Sequence, residues 1–121
     1  MAPPFIIVIP GYVIPSQNVT DRQHWSGKSR INNVLLMIVR AAANREFGIS
    51  QHLGKRRRVH VTSMRSKRIT DDANLRGGAK GIVDCLTRAG VIKDDSDQWV
   101  SITYGQVIGW KCTILTVSDM E

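Results

Sequence analysis

The spacing of apolar residues along this chain predicts a small α+β fold, ordered β-α-β-α-β-β, with a mixed sheet and two main helices in one domain covering residues 1–121. Three observations lead there: a β-branched run near the N-terminus, two segments of helical period each followed by glycine, and two strand-like runs near the C-terminus. A chain of 121 residues makes one domain of ordinary size and leaves no room for a second.

The first element is Phe5-Ile-Ile-Val-Ile-Pro10, continuous and β-branched, which suits a strand buried on both faces and stopped at Pro10-Gly11. A loop of about a dozen residues follows. From Ser29 to Phe47 the apolar positions Ile31, Val34, Leu35, Ile38, Val39 and Ala42 recur at helical spacing, with Gly48 placed to cap the C-terminus. Val59, Val61 and Ser63 alternate with His60, Thr62 and Met64 in a second strand. Leu75, Ala79, Ile82, Val83, Leu86 and Ala89 mark a second helix, with Asp72 or Asn74 available as N-cap and Gly90 as the glycine after its end. Trp99–Tyr104 and Trp110–Val117 read as two strands joined as a hairpin near Gly105–Gly109.

The formal net charge is +7 and the pI about 10.0, which points to nucleic acid or another anionic partner without choosing between them. Cys85 and Cys112 lack C-x-x-C spacing and read as reduced residues of a cytosolic protein, which argues against a structural zinc site. The N-terminus has no basic leader, and its apolar run is too short to span a bilayer, so a soluble, cytoplasmic protein with no membrane partner is expected.

Against that basic background, six of the ten carboxylates fall between Asp71 and Asp97: the pairs Asp71/Asp72 and Asp94/Asp95, with Asp84 and Asp97. Adjacent like charges repel unless a cation lies between them, and a hard divalent ion such as Mg²⁺ takes oxygen ligands. The plainer reading of Asp71/Asp72 is as helix N-caps and dipole partners.

The segment Asp71-Asp-Ala-Asn-Leu-Arg-Gly-Gly-Ala-Lys-Gly-Ile-Val-Asp-Cys-Leu86, followed by Ala89-Gly-Val-Ile-Lys-Asp-Asp-Ser96, resembles the RusA-type Holliday junction resolvases, especially phage-encoded members. These carry D-x-D-N-L, a lysine soon after, a D-A-L helix, and A-G-x-x-x-D-D. A weaker likeness extends to His24-Trp25 and to the basic strand before Asp71, so it spans most of the chain.

The resemblance implies a homodimeric endonuclease that binds four-way DNA junctions and makes paired, symmetric nicks for recombination and repair. It implies Mg²⁺, with Mn²⁺ as a substitute, and no small-molecule cofactor. In such enzymes carboxylate-held metal lowers the pKa of a bound water and stabilises the charge of the transition state. Carried over by position, the metal ligands are Asp71, Asp72, Asp94 and Asp95, and the catalytic set is Asp71, Asp72, the Ala73 position, Lys80 and Asp95. Arg76 is the second choice for the family lysine.

Where the pattern puts its second aspartate, immediately before Asn74, this chain has Ala73. Three readings stand side by side: an Asp→Ala substitution that traps a bound complex, a natural register in which Asp72 supplies the oxygen, and an inactive junction binder. Geometry adds a difficulty. A single helix from Leu75 to Ala89 would hold its ends roughly 20 Å apart, too far for Asp71 and Asp95 to share a metal. Either Gly77-Gly78 breaks or delays the helix and the chain doubles back after Gly90, or the second carboxylate comes from the other subunit.

DNA contact is expected from Lys55, Arg56, Arg57, Arg58, Arg65, Lys67 and Arg68 as a basic band beside the acidic site, with Arg76. His24, Trp25, Lys28 and Arg30 form a second candidate surface, against the alternative that Trp25 is packed. Trp99 and Trp110 read as core or interface. A non-catalytic binder of branched DNA on the same fold is the alternative function, and a general basic RNA binder a distant third.

Overall fold

The computed structural model describes residues 4–15, 25–45 and 54–120. Its elements are β1 (Phe5–Pro10), α1 (Trp25–Arg45), β2 (Arg57–Arg65), α2 (Asp72–Gly78), α3 (Lys80–Arg88), β3 (Val100–Ile108) and β4 (Cys112–Asp119). The expected α+β class and mixed sheet are present: four strands lie in the order β1-β4-β2-β3, antiparallel except for the parallel pair β2–β3.

One sheet face is covered by helices. Phe5, Ile7 and Ile9 of β1, Leu115 and Val117 of β4, Val59 and Val61 of β2 and Val100 of β3 point into the core, where they meet Leu35, Leu36 and Val39 of α1 and Ile82, Val83 and Leu86 of α3. Among the described residues no helix lies over the opposite face. There Ile6 is 54% and Val8 50% exposed, so β1 is a half-buried edge strand rather than one buried on both faces. A continuous apolar run cannot by itself distinguish the two cases.

The C-terminal strands do not form a hairpin with one another. β2 lies between them, pairing in parallel with β3 and antiparallel with β4, and the Gly109–Lys111 turn crosses over its end. The Gly109 amide donates to the Arg65 carbonyl at 3.1 Å, fixing that crossing. Two strand runs around a short glycine-bearing link read as a hairpin in sequence, yet a link this long can also step over one strand at an inter-strand spacing of about 4.8 Å.

The second helix is broken into α2 and α3 at Gly78–Ala79, as the Gly77-Gly78 pair had suggested. Its N-cap is Asp71, not Asp72 or Asn74: Asp71 Oδ1 accepts from the Ala73 amide at 2.9 Å, and its carbonyl accepts from Asn74 and Leu75. The far end closes on Gly90, whose φ is +79°. Val91 N–H donates to the Leu86 carbonyl and Gly90 N–H to that of Thr87, the paired bonds of a Schellman cap, with Val91 and Leu86 both fully buried.

In α1 the buried stripe is Leu35, Leu36, Val39, Ala42 and Ala43, whereas Ile31 and Val34, expected inward, are exposed. They line an apolar groove of about 370 Å³ with Ile9, Pro10, Tyr12 and Ile38. The expected cap at Gly48 lies outside the described residues. Among the described residues no helix is long and apolar enough to cross a membrane.

Candidate functional site

The two acidic pairs stand at opposite ends of one crossover. Because β2 and β3 are parallel, the chain leaving β2 at Arg65 must return along the sheet before β3 begins at Val100. Asp71/Asp72 lie at the start of that return and Asp94/Asp95 at its finish.

At the start, the loop after β2 is held against β3 by a two-way amide clamp: Ile69 N–H donates to Gln106 Oε1 at 2.8 Å, and Gln106 Nε2 donates to the Ile69 carbonyl at 2.9 Å. Asp71 and Asp72 then open α2. Asp72 shares a shallow cavity of about 190 Å³ with Leu75, Arg76, Ile102 and Tyr104. Burial pushes the Tyr104 phenol up, with Arg76 opposing that shift. Ala73 is exposed, as is Lys80, the first residue of α3.

At the finish, Asp94 and Asp95 line a separate cavity of about 230 Å³ with Asn32, Gly81, Asp84, Cys85, Thr87 and Arg88. Asp94 Oδ1 accepts from the Asp95 amide at 2.8 Å. Gly81 leaves room for the Asn32 side chain of α1: a Cβ added to it would meet Asn32 Oδ1 at 2.6 Å. Burial raises the Cys85 thiol, with Arg88 lowering it and Asp84 raising it further. Asn32 is a site-lining residue that sequence reasoning missed, and Asp84, read from its mid-helix place as solvated or dimer-facing, is exposed and lines the same cavity.

Among the described residues no three His, Cys, Asp or Glu side chains are grouped so that they could hold a metal ion. The four aspartates expected as metal ligands therefore do not converge within one chain. Comparison with models of known protein families gives no match, and a search of curated proteins finds no relative.

The basic band separates into two ends and a buried member. Arg57, expected on DNA, is 1% exposed. Its Nε donates to Asp119 Oδ1 at 3.0 Å and its Nη1 to the Val91 carbonyl at 2.7 Å, so it is a core ion pair and cannot reach a phosphate. Lys55 lies 3.6 Å from Asp119 Oδ2, and Arg56 grips the Asp97 carbonyl through Nε and Nη2, which ties this end of β2 to the segment that follows the second acidic pair. Arg58 is exposed beside it, its register placing it on the sheet face away from the helices.

Arg65, at the other end, is half-buried. It donates to the carbonyls of Lys67 and Ile14, each at 2.7 Å, and burial lowers its pKa. Its role is to shape the loop, and Lys67 and Arg68 are the exposed cations that lead into Asp71. Arg76 is exposed beside Asp72. Arg30 is exposed at the apolar groove. Trp25 and Lys28 belong to the first turns of α1, and His24 lies outside the described residues. Trp99 is half-buried with Lys93 Nζ 4.0 Å from its ring centroid, whereas Trp110 is 88% exposed and not part of the core.

Proposed function

We propose that this chain is a RusA-type, structure-selective endonuclease that binds four-way DNA junctions as a dimer and cuts them by symmetric phosphodiester hydrolysis. The observation that carries the reading is the ordered pattern Asp71-Asp-Ala-Asn-Leu75, Lys80, Ala89-Gly-Val-Ile-Lys-Asp-Asp95 in a chain of net charge +7. In the reaction, water oxygen adds to phosphorus and the bond to the 3′ oxygen breaks, leaving a 5′-phosphate and a 3′-hydroxyl.

The placement of the acidic pairs favours a particular version. One chain does not gather its aspartates around one ion, so the Mg²⁺ requirement goes with a site completed by a second copy, one copy giving Asp71 and Asp72 and the other Asp94 and Asp95. A two-fold dimer with two such sites matches the approximate two-fold symmetry of a four-way junction. Lys67, Arg68 and Arg76 would hold phosphates beside Asp71. A second reading, a non-catalytic binder of branched DNA, is favoured by Ala73, since a methyl group cannot ligate a cation.

The test is to incubate the chain and its Ala73→Asp variant with a labelled four-way junction and a matched linear duplex, with Mg²⁺ and with EDTA. Ala73 is exposed in the first turn of α2, where an added carboxylate meets the helix N-terminus and does not disturb packing. Junction binding by both chains with Mg²⁺-dependent nicking by the variant alone supports a resolvase disabled at Ala73. Junction binding without nicking by either selects the non-catalytic binder. Equal binding of duplex and junction, with no nicking, sinks both in favour of a general basic binder.

A further inference from the structure

We propose that Trp110, in the turn between β3 and β4, is a wedge that stacks on an unpaired or splayed base of branched DNA. The inference rests on the DNA-binding reading above but not on catalysis.

Trp110 is 88% exposed, and Ile108 beside it 62%, in a protein that has a large apolar core. An indole left so fully in water offers its whole face to a partner. The turn that carries it is anchored on both sides: Gly109 N–H donates to the Arg65 carbonyl at 3.1 Å, and Gly11 N–H to the Lys111 carbonyl at 3.0 Å. The indole is therefore presented from backbone tied to β2 and to the end of β1, which limits the ordering entropy lost on binding.

Charge selects the kind of partner. Lys111 adjoins Trp110, and Lys67 and Arg68 are exposed in the loop that leaves β2 at the strand end where the turn is fastened. No carboxylate occurs from Met64 to Thr70 or from Gly105 to Lys111. A second copy of the same cationic tip would be repelled, whereas a nucleotide supplies an aromatic face together with the phosphate such surroundings attract. Aromatic stacking is tolerant of base identity, and apolar wedges open base steps at kinks, so the device suits recognition of branched shape rather than of sequence.

The experiment uses a four-way junction carrying 2-aminopurine next to the crossover, the matched duplex, and EDTA throughout. Wild type, Trp110→Ala and Trp110→Phe are compared, with light scattering of the free proteins and unfolding midpoints. Trp110→Ala is expected to keep its unfolding midpoint and its duplex affinity, to bind the junction roughly tenfold to a hundredfold more weakly, and to lose the fluorescence rise of an unstacked base. Trp110→Phe is expected to restore most of both. If Trp110→Ala matches wild type on the junction in affinity and fluorescence, the wedge is wrong and the DNA-binding reading stands. If it instead lowers the molecular mass in light scattering, the tip is a contact between copies and the wedge is overturned. Failure of the wild type to prefer the junction over the duplex overturns both.

Discussion

Arg57 and Asp119 lie directly opposite one another in the antiparallel register of β2 and β4, and Arg57 Nε donates to Asp119 Oδ1 at 3.0 Å. With Nη1 on the Val91 carbonyl, the same guanidinium ties both inner strands to the segment after α3. Removing one partner leaves a buried charge uncompensated. Asp119→Ala is expected to cost about 3 kcal/mol in urea unfolding. Arg57→Lys should fail to restore stability, because an ammonium cannot reproduce the fork that bonds two acceptors. Arg57→Met, which removes the charge, should leave the salt dependence of DNA binding unaltered; a flatter dependence in the folded variant would place Arg57 on the phosphates after all.

Lys67 and Arg68 are the exposed cations nearest in sequence to Asp71, and the proposed function assigns them to phosphates. Each phosphate contact removed should lower the slope of log affinity against log salt by about 1. The double variant Lys67→Ala/Arg68→Ala is therefore expected to bind junctions more weakly at low salt and to converge with wild type as salt rises. An unchanged slope would argue that the loop does not touch DNA.

Tyr12 is pushed up to about 12 from an ordinary 10.0, chiefly by burial, with Cys85 adding to the shift. The sign follows from proton binding. Between these values the unfolded chain has released the phenolic proton while the folded chain keeps it, so stability falls as pH rises through that window and is unaffected by Tyr12 below it. Tyr12→Phe should flatten the decline in unfolding midpoint between pH 10 and 12. An identical alkaline decline in the variant would mean that another group, such as Tyr104, dominates.

Gly90 adopts φ +79° in the cap that turns the chain from α3 toward the Asp94/Asp95 segment. A Cβ meets no atom within 4 Å there, so the cost of Gly90→Ala is one of backbone conformation alone, about 1 kcal/mol. Gly81→Ala is the contrasting case: its Cβ would meet only the end of the Asn32 side chain, which can turn aside, and alanine favours a helix interior, so a loss smaller than that of Gly90→Ala is expected. Chemical denaturation of the two variants side by side checks the ranking.

Much of the fold was legible because its signals are local. The alternation in Val59, Val61 and Ser63, the apolar spacing from Leu75 to Leu86 and the glycine at Gly90 each report on a few neighbouring residues, and each element they announce is present. The same locality misled at Trp99–Val117, where two strand runs around a short turn implied a hairpin and β2 in fact lies between them. It misled again at Ile31 and Val34, whose spacing fits a helix face but whose burial depends on where β1 ends.

Sequence by itself determined the element types, the α+β class, the basic charge and the two acidic pairs with their order, since periodicity, capping and composition are properties of nearest neighbours and sums. Only the tertiary structure decided which cations are surface groups and where the acidic pairs stand. Arg57 differs from Arg58 by one position and so by one face of a sheet, and that face is set by the distant partners Asp119 and Val91. The separation of Asp71/Asp72 from Asp94/Asp95 likewise follows from the parallel pairing of β2 with β3, a long-range contact that obliges the chain to travel the length of the sheet between them.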